Sequence, residues 1–186
     1  MKIVGFSGSH RKEGATAWVL GQILEGAEEK GASTELWCSG DLAINPCRGC
    51  LGCVRSGRCA VDDDMQELYL RLGQADALVL GSPVYMGQMS AQAKAFTDRL
   101  FAFISPRFSP RHRPDRAGKK LVLVFTQGNP DAGMFKEYFD YCGRMFGLLG
   151  FDVRGTFVVP GTREGDARGR EGLSGAMRGI GSSLAV

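Results

Sequence analysis

One alternation runs the length of the chain: a short β-branched or apolar run, a break with glycine or serine, then an amphipathic stretch. Strand-like runs fall at residues 2–6, 33–38, 76–81, 120–125 and 151–159. Helical spacing falls at 15–30, 62–72, 90–103, 135–149 and 173–184. The most periodic helix carries Phe135, Tyr138, Phe139, Cys142, Met145, Phe146 and Leu149 at intervals of one, three and four. The last is weakened by interspersed glycines. Successive parallel strands can be joined only through crossovers, so the alternation predicts an α/β fold: a doubly wound, five-stranded parallel sheet with helices on both faces. Ligands of such sheets sit beyond the carboxyl ends of the strands, where the winding reverses. The loops after strands one, three and four are therefore the ones to inspect.

The 186 residues suit one domain over 1–186. No apolar run approaches the roughly 18 residues of a membrane span. The start Met1-Lys2-Ile3-Val4-Gly5-Phe6 enters a strand without the features of a secretory signal, so a cytoplasmic address is expected. A net charge of +3 gives no case for nucleic acid. Positive charge gathers at 105–120, where Arg107, Arg111, Arg113, Arg116, Lys119 and Lys120 face only Asp115. A solvated insertion is the expectation, with subunit contacts or attraction of an anionic electron donor as functional alternatives. His10 and His112 have no nucleophile and carboxylate beside them in the sequence, which argues against a hydrolytic triad. Asp62-Asp63-Asp64 reads as a helix start favoured by the helix dipole.

After the first strand, Ser7-Gly8-Ser9-His10-Arg11-Lys12-Glu13-Gly14-Ala15-Thr16 leads straight into a helix. Backbone amides, hydroxyls and Arg11 suit a phosphate, although the same residues also serve as a turn and cap. Five residues separate Gly8 from Gly14 and no Lys-Ser/Thr follows, so this is not a triphosphate loop; nor does it contain Gly-x-Gly-x-x-Gly. After the third strand, Gly81-Ser82-Pro83-Val84-Tyr85-Met86-Gly87 could lie along a flat ring, or place Tyr85 in the core. Thr126-Gln127-Gly128 follows the fourth strand as a small polar wall or turn. A phosphate loop and a ring loop together match a mononucleotide such as FMN.

Four of the six cysteines fall within thirteen residues, as Cys47-x2-Cys50-x2-Cys53-x5-Cys59, on a loop with Gly49, Gly52 and Gly57. Soft thiolates without a nearby histidine suit an iron-sulfur cluster or zinc. Successive x2 spacings favour a [4Fe-4S] cluster over zinc or free thiols. Cys38 and Cys142 read as packed thiols.

Gly8-Ser9-His10-Arg11 with Gly14-Ala15-Thr16, then Gly81-Ser82-Pro83-Val84-Tyr85, then Ser90-Ala91 with Lys94-Ala95-Phe96-Thr97-Asp98-Arg99, resemble the flavodoxin-like NAD(P)H-dependent FMN reductase family. The cysteine cluster is similar to that of its iron-sulfur flavoprotein branch. The resemblance implies phosphate contacts from Ser9, Arg11 and Thr16, with backbone help near Ala15. It implies a ring site at Ser82, Pro83, Val84, Tyr85, Met86 and Gly87 and at Thr126, Gln127 and Gly128, and the ligands Cys47, Cys50, Cys53 and Cys59. His10 and Ala15 stand where relatives commonly carry Pro and Asn. The resemblance further implies electron exchange with NAD(P)H or a redox partner protein, and a homo-oligomer, dimer or tetramer, with transfer between adjacent protomers. Three functions stay open: an FMN and [4Fe-4S] oxidoreductase, an NAD(P)H-dependent FMN or quinone reductase with FMN only, and a non-enzymatic FMN carrier or sensor.

Overall fold

The computed structural model describes residues 1–103, 118–163 and 167–186. Most of the basic insertion expected at 105–120 lies outside them. In chain order the elements are β1 (Lys2–Ser7), α1 (Ala15–Glu28), β2 (Ser33–Cys38), α2 (Gly52–Ser56), α3 (Met65–Gln74), β3 (Ala77–Tyr85), β4 (Gln88–Met89), α4 (Ala91–Arg99), β5 (Lys120–Thr126), α5 (Lys136–Leu148), β6 (Asp152–Val159) and α6 (Leu173–Leu184).

Five of the strands form a sheet in the order β2-β1-β3-β5-β6, each neighbouring pair parallel. The chain winds from β1 outward to β2, then returns past β1 to β3. The reversal point therefore lies between β1 and β3, and opens at their carboxyl ends. A sixth strand, β4, has two residues antiparallel to the end of β3. It is too short to show any alternation in the sequence. β3 also continues beyond its expected end at 81, with Ser82 and Pro83 in register with Phe125 and Thr126.

Both faces of the sheet are covered at its centre, which is why β1, β3 and β5 read as nearly continuous apolar runs, whereas the edge strands β2 and β6 carry polar residues. Val4, Phe6, Leu78, Leu80, Leu121 and Leu123 pack beneath α3, α4 and α5. Phe6 stacks on Phe96 of α4 with ring centroids 3.9 Å apart. Ile3, Val79, Val122 and Val124 pack on the other face against Val19, Leu20 and Ile23 of α1 and Met177 of α6. Cys142 is buried on α5, among the apolar residues of the first face.

The glycines of α6 have a packing reason. A Cβ at Gly181 would collide with the Ile23 carbonyl, and one at Gly26 with the Arg178 backbone. Two helices approach this closely only where side chains are missing, so the propensity lost in α6 is offset by contact with α1. Arg178 adds ion pairs to Glu25 and Glu29 across the same seam. Among the described residues, no helix is long and apolar enough to cross a membrane.

Candidate functional site

The loops after β1 and β3 are tied together at their roots. The Gly8 amide donates to the Gly81 carbonyl at 2.8 Å. The Ser90 hydroxyl donates to the Gly8 carbonyl at 2.6 Å and accepts from the Ala93 amide, capping α4. Gly8 leaves no room for a side chain, since a Cβ there would lie 2.5 Å from that of Ala93.

From Gly8 the chain turns tightly into α1. The Arg11 amide donates to the buried Ser9 hydroxyl at 3.2 Å, and the Gly14 amide donates to the Arg11 carbonyl at 3.0 Å. Gly14 is the N-cap residue, and no side chain caps the helix. The first-turn amides of α1 thus keep the positive end of the helix dipole available to an outside anion, with exposed Arg11 beside them. Thr16 is buried, its hydroxyl 2.7 Å from that of Thr126 at the end of β5.

The turn between β3 and β4 is unusual in its backbone. Met86 and Gly87 both have positive φ, at 49° and 77°, as a two-residue type I′ hairpin requires. For Met86 this is a conformation that non-glycine residues rarely adopt, imposed here by the two-residue turn. Tyr85 is 56% exposed, and Met86 is fully exposed, so the core role open to Tyr85 in the sequence is not the one it takes. Phe135 packs under Gly87, and Tyr138 accepts a hydrogen bond from the Met89 amide at 3.2 Å. Burial pushes the Tyr138 phenol up to about 12, so it stays neutral there.

Ser82 differs from its neighbours. Its hydroxyl donates to the Pro83 carbonyl and accepts from the Ser90 amide, beneath the surface. It supports the turn from behind and does not reach the cleft. Beyond β5, Gln127 is buried, its amide nitrogen donating to the Asn129 and Asp131 carbonyls at 3.2 and 2.6 Å. Its Oε1 is buried without a partner.

These pieces border one open cleft of about 1190 Å³. Ser9, Arg11, Ala15, Thr16, Pro83, Val84, Tyr85, Met86, Gly87, Thr126, Gln127 and Gly128 all line it. One further wall, formed by Thr162, Arg163 and Arg168 after β6 together with Phe135, carries no motif in the sequence. The Thr162 amide donates to the Gln127 carbonyl at 2.9 Å, and Arg168 to the Glu13 carbonyl at 2.7 Å. A signal was available, because a fifth parallel strand must deliver its following loop to the same sheet edge. An uncapped helix start with Arg11, an exposed aromatic turn and an orphaned buried acceptor fit a group with an anionic end and a flat ring bearing an edge donor.

The cysteine loop borders a second cavity, of about 240 Å³. Cys47, Cys50, Cys53 and Cys59 line it together with Val61, Arg99 and Phe101. Positive φ at Gly49, Leu51 and Gly57 wraps the chain around it. Burial first, then the neighbouring Cys59 and Cys47 sulfurs, push the Cys53 thiol up. The donor set of four thiols in one cavity suits soft-metal chemistry. Among the described residues no three His, Cys, Asp or Glu side chains already converge as a metal-binding group.

Next to this cavity lies a buried ion pair between residues distant in the sequence. Arg99 of α4 and Asp63 meet through two hydrogen bonds, Nη1 to Oδ2 at 2.7 Å and Nη2 to Oδ1 at 2.9 Å. Burial alone would raise the Asp63 carboxyl, but hydrogen bonds from Arg99 and Asn45 and the guanidinium charge outweigh it and hold the group below its ordinary value. The sequence offers Asp63 as a helix-start carboxylate or, less simply, as a ligand for a hard cation. It does accept from the Met65 amide at 3.1 Å, but its principal partner is 36 residues away.

The model of the NADPH-dependent FMN reductase family matches residues 1–138. An iron-sulfur flavoprotein of Archaeoglobus fulgidus is 34% identical over 188 residues, covering 100% of this chain and 79% of that protein. One from Methanocaldococcus jannaschii is 42% identical over 99 residues, 53% of this chain and 51% of the relative. Another, from Methanosarcina thermophila, is 40% identical over 113 residues, 61% and 59%. The matches to these last two span little more than half the relatives' length. Among solved structures, an NAD(P)H:quinone oxidoreductase from Methanothermobacter marburgensis superimposes with a TM-score of 0.78 over 100% of this chain and 98% of that one. At 19% identity that likeness speaks for the fold, a flavodoxin-like doubly wound sheet. Given a family match over residues 1–138 and a relative aligned along the whole chain, this protein belongs to the NADPH-dependent FMN reductase family, in its iron-sulfur flavoprotein branch.

Proposed function

We propose that this protein is an FMN-dependent oxidoreductase passing electrons between FMN in the cleft and a [4Fe-4S] cluster held by Cys47, Cys50, Cys53 and Cys59. The observation that carries the reading is the pairing, in one cleft, of an uncapped helix start beside Arg11 with the exposed turn Tyr85-Met86-Gly87. When bound, FMN supplies one- and two-electron chemistry and the cluster one-electron chemistry.

The protein's own part is binding and orientation. The α1 amides near Ala15 and the Arg11 guanidinium hold the phosphate; Ser9 and Thr16 brace that turn. Pro83, Val84, Tyr85, Met86 and Gly87 receive one side of the ring, and Thr126, Gln127 and Gly128 the other. Gln127 Oε1, an acceptor left unpaired in a buried position, takes a donor from the ring edge. No side chain is assigned as acid or base. Soft thiolates fit the cluster.

NAD(P)H or a redox partner protein is the electron donor in this reading. Leu51 and Phe101, at the cysteine cavity, are 56% and 43% exposed, which supports their burial against a second copy in a dimer or tetramer. A reducing, cytoplasmic setting suits free thiols of this kind. A second reading, an NAD(P)H-dependent FMN or quinone reductase with FMN only, is favoured by the lack of a converged metal-binding group among the described residues.

Anaerobic purification decides between them. Flavin bands with broad visible absorbance, iron and acid-labile sulfide are expected, and replacing any one of Cys47, Cys50, Cys53 or Cys59 by Ala depletes iron and sulfide while FMN stays. Flavin and NAD(P)H turnover without iron, even after reconstitution, establishes the FMN-only enzyme. Protein that takes up no FMN overturns both.

A further inference from the structure

We propose that Arg99 is the positioning residue of the cysteine loop, joining its two ends from α4 and fixing a positive charge in the wall of the cavity that the four cysteines line. The electrostatic half of this rests on the cluster reading above; the positioning half does not.

Residues 47–60 contribute nothing to the core, since every one of them is exposed or half-buried. Local bonds shape its interior, such as Ser56 Oγ to the Gly52 carbonyl at 3.0 Å, and Gln66 donates to the Cys59 carbonyl at 3.3 Å, but its place on the protein depends chiefly on how its ends are held. Arg99 holds both. Nη1 donates to the Asn45 carbonyl at 2.9 Å, two residues before Cys47. Nη2 donates to the Val61 carbonyl at 3.3 Å, two residues after Cys59. Asp63 takes the fork of the same guanidinium and also accepts from the Asn45 amide at 2.9 Å. One planar group thus ties the entry of the loop to its exit. The Tyr69 hydroxyl, donating to the Arg99 carbonyl at 2.8 Å, fixes the helix end that carries it.

The charge has its own consequence. Arg99 is among the largest fully buried side chains, it lines the cysteine cavity, and its Nε is buried without a partner. A buried donor left open is costly unless a ligand in the cavity accepts from it. Sulfur carrying negative charge is such an acceptor, and a cation held in a poorly screened wall favours the more negative, reduced cluster. Asp63 partly offsets that field. Removing Arg99 and removing the Asp63 charge therefore move the potential in opposite directions, which a purely structural clamp would not do.

The test uses FMN-loaded protein carrying R99Q, R99K or D63N. In the cluster-free form, hydrogen exchange of peptides spanning 43–65 should accelerate at least tenfold in R99Q and less in R99K, which keeps the cation but not the fork. FMN affinity should stay within about twofold, reporting an intact fold. After anaerobic reconstitution, the cluster midpoint potential should fall in R99Q and rise in D63N; failure of R99Q to load iron while retaining FMN also supports the positioning role. If R99Q loses FMN as well, R99K decides the question. Unchanged exchange in R99Q with full iron loading overturns the clamp, and potentials that shift together or not at all overturn the electrostatic role. Wild-type protein that loads no iron removes the cluster reading, yet leaves the exchange comparison able to confirm or overturn the clamp.

Discussion

Thr16 at the start of α1 and Thr126 at the end of β5 are 110 residues apart in the chain, and their hydroxyls lie 2.7 Å apart on the buried floor of the cleft. One hydroxyl donates to the other, so the accepting one keeps a proton for a further acceptor. Thr16, for which the family resemblance implies a phosphate contact, lines the cleft and is also joined to the opposite wall. Thr126→Val should lower stability by about 1 kcal/mol and loosen FMN several-fold, because the two walls lose their shared bond. Chemical denaturation and fluorescence titration with FMN measure the two effects, and full FMN affinity would mean that the pair only braces the fold.

Arg11 is exposed beside amides that no side chain caps. Arg11→Ala should weaken FMN about tenfold, the worth of one charge-assisted phosphate contact. The loss should shrink as salt is raised. An unchanged dissociation constant would remove this loop from the site.

The Arg99–Asp63 pair makes a pH prediction. The folded Asp63 carboxyl lies below its ordinary value of 3.8, so its contribution to stability is complete above that value and lost as pH falls through the lowered one. Asp63→Asn leaves a buried cation without its counterion and should cost about 3 kcal/mol at neutral pH. The difference between wild type and variant should narrow in acid, once the wild-type carboxyl is itself protonated. Denaturation midpoints from pH 7 to pH 2 follow this, and a constant difference would refute it.

Gly181 tests the α1–α6 seam. Gly181→Ala adds helix propensity but drives a Cβ into the Ile23 carbonyl. The clash should prevail, giving a net loss of about 1–3 kcal/mol. Gly179→Ala meets open space on the same helix and should be neutral or stabilising, so thermal melts of the two variants separate packing from propensity.

Some of this was legible in the sequence and some was not. The two loop motifs and the cysteine spacing are local, and residues such as Arg11, Met86 and Cys53 announce themselves through their immediate neighbours. Ser82 reads the same as a cleft residue or as a buried support, because only the position of Ser90 decides which it is. Asp63 reads as a helix-start carboxylate because the guanidinium that claims it comes from another helix. Glycines in α6 read as weakness because the sequence of one helix does not reveal how near the next one lies.

The sequence by itself determined the alternation of strand and helix, and with it the parallel sheet and the edge where ligands collect. Periodicity decides which face is apolar, and the need for crossovers leaves few ways to bury such faces. Tertiary structure alone decided that β6 sends Arg163 and Arg168 to the cleft, that Thr16 meets Thr126, and that Arg99 reaches both ends of the cysteine loop. Those contacts join residues distant in the chain, and their strength depends on ångström-scale separation and burial that arise only once the layers have packed.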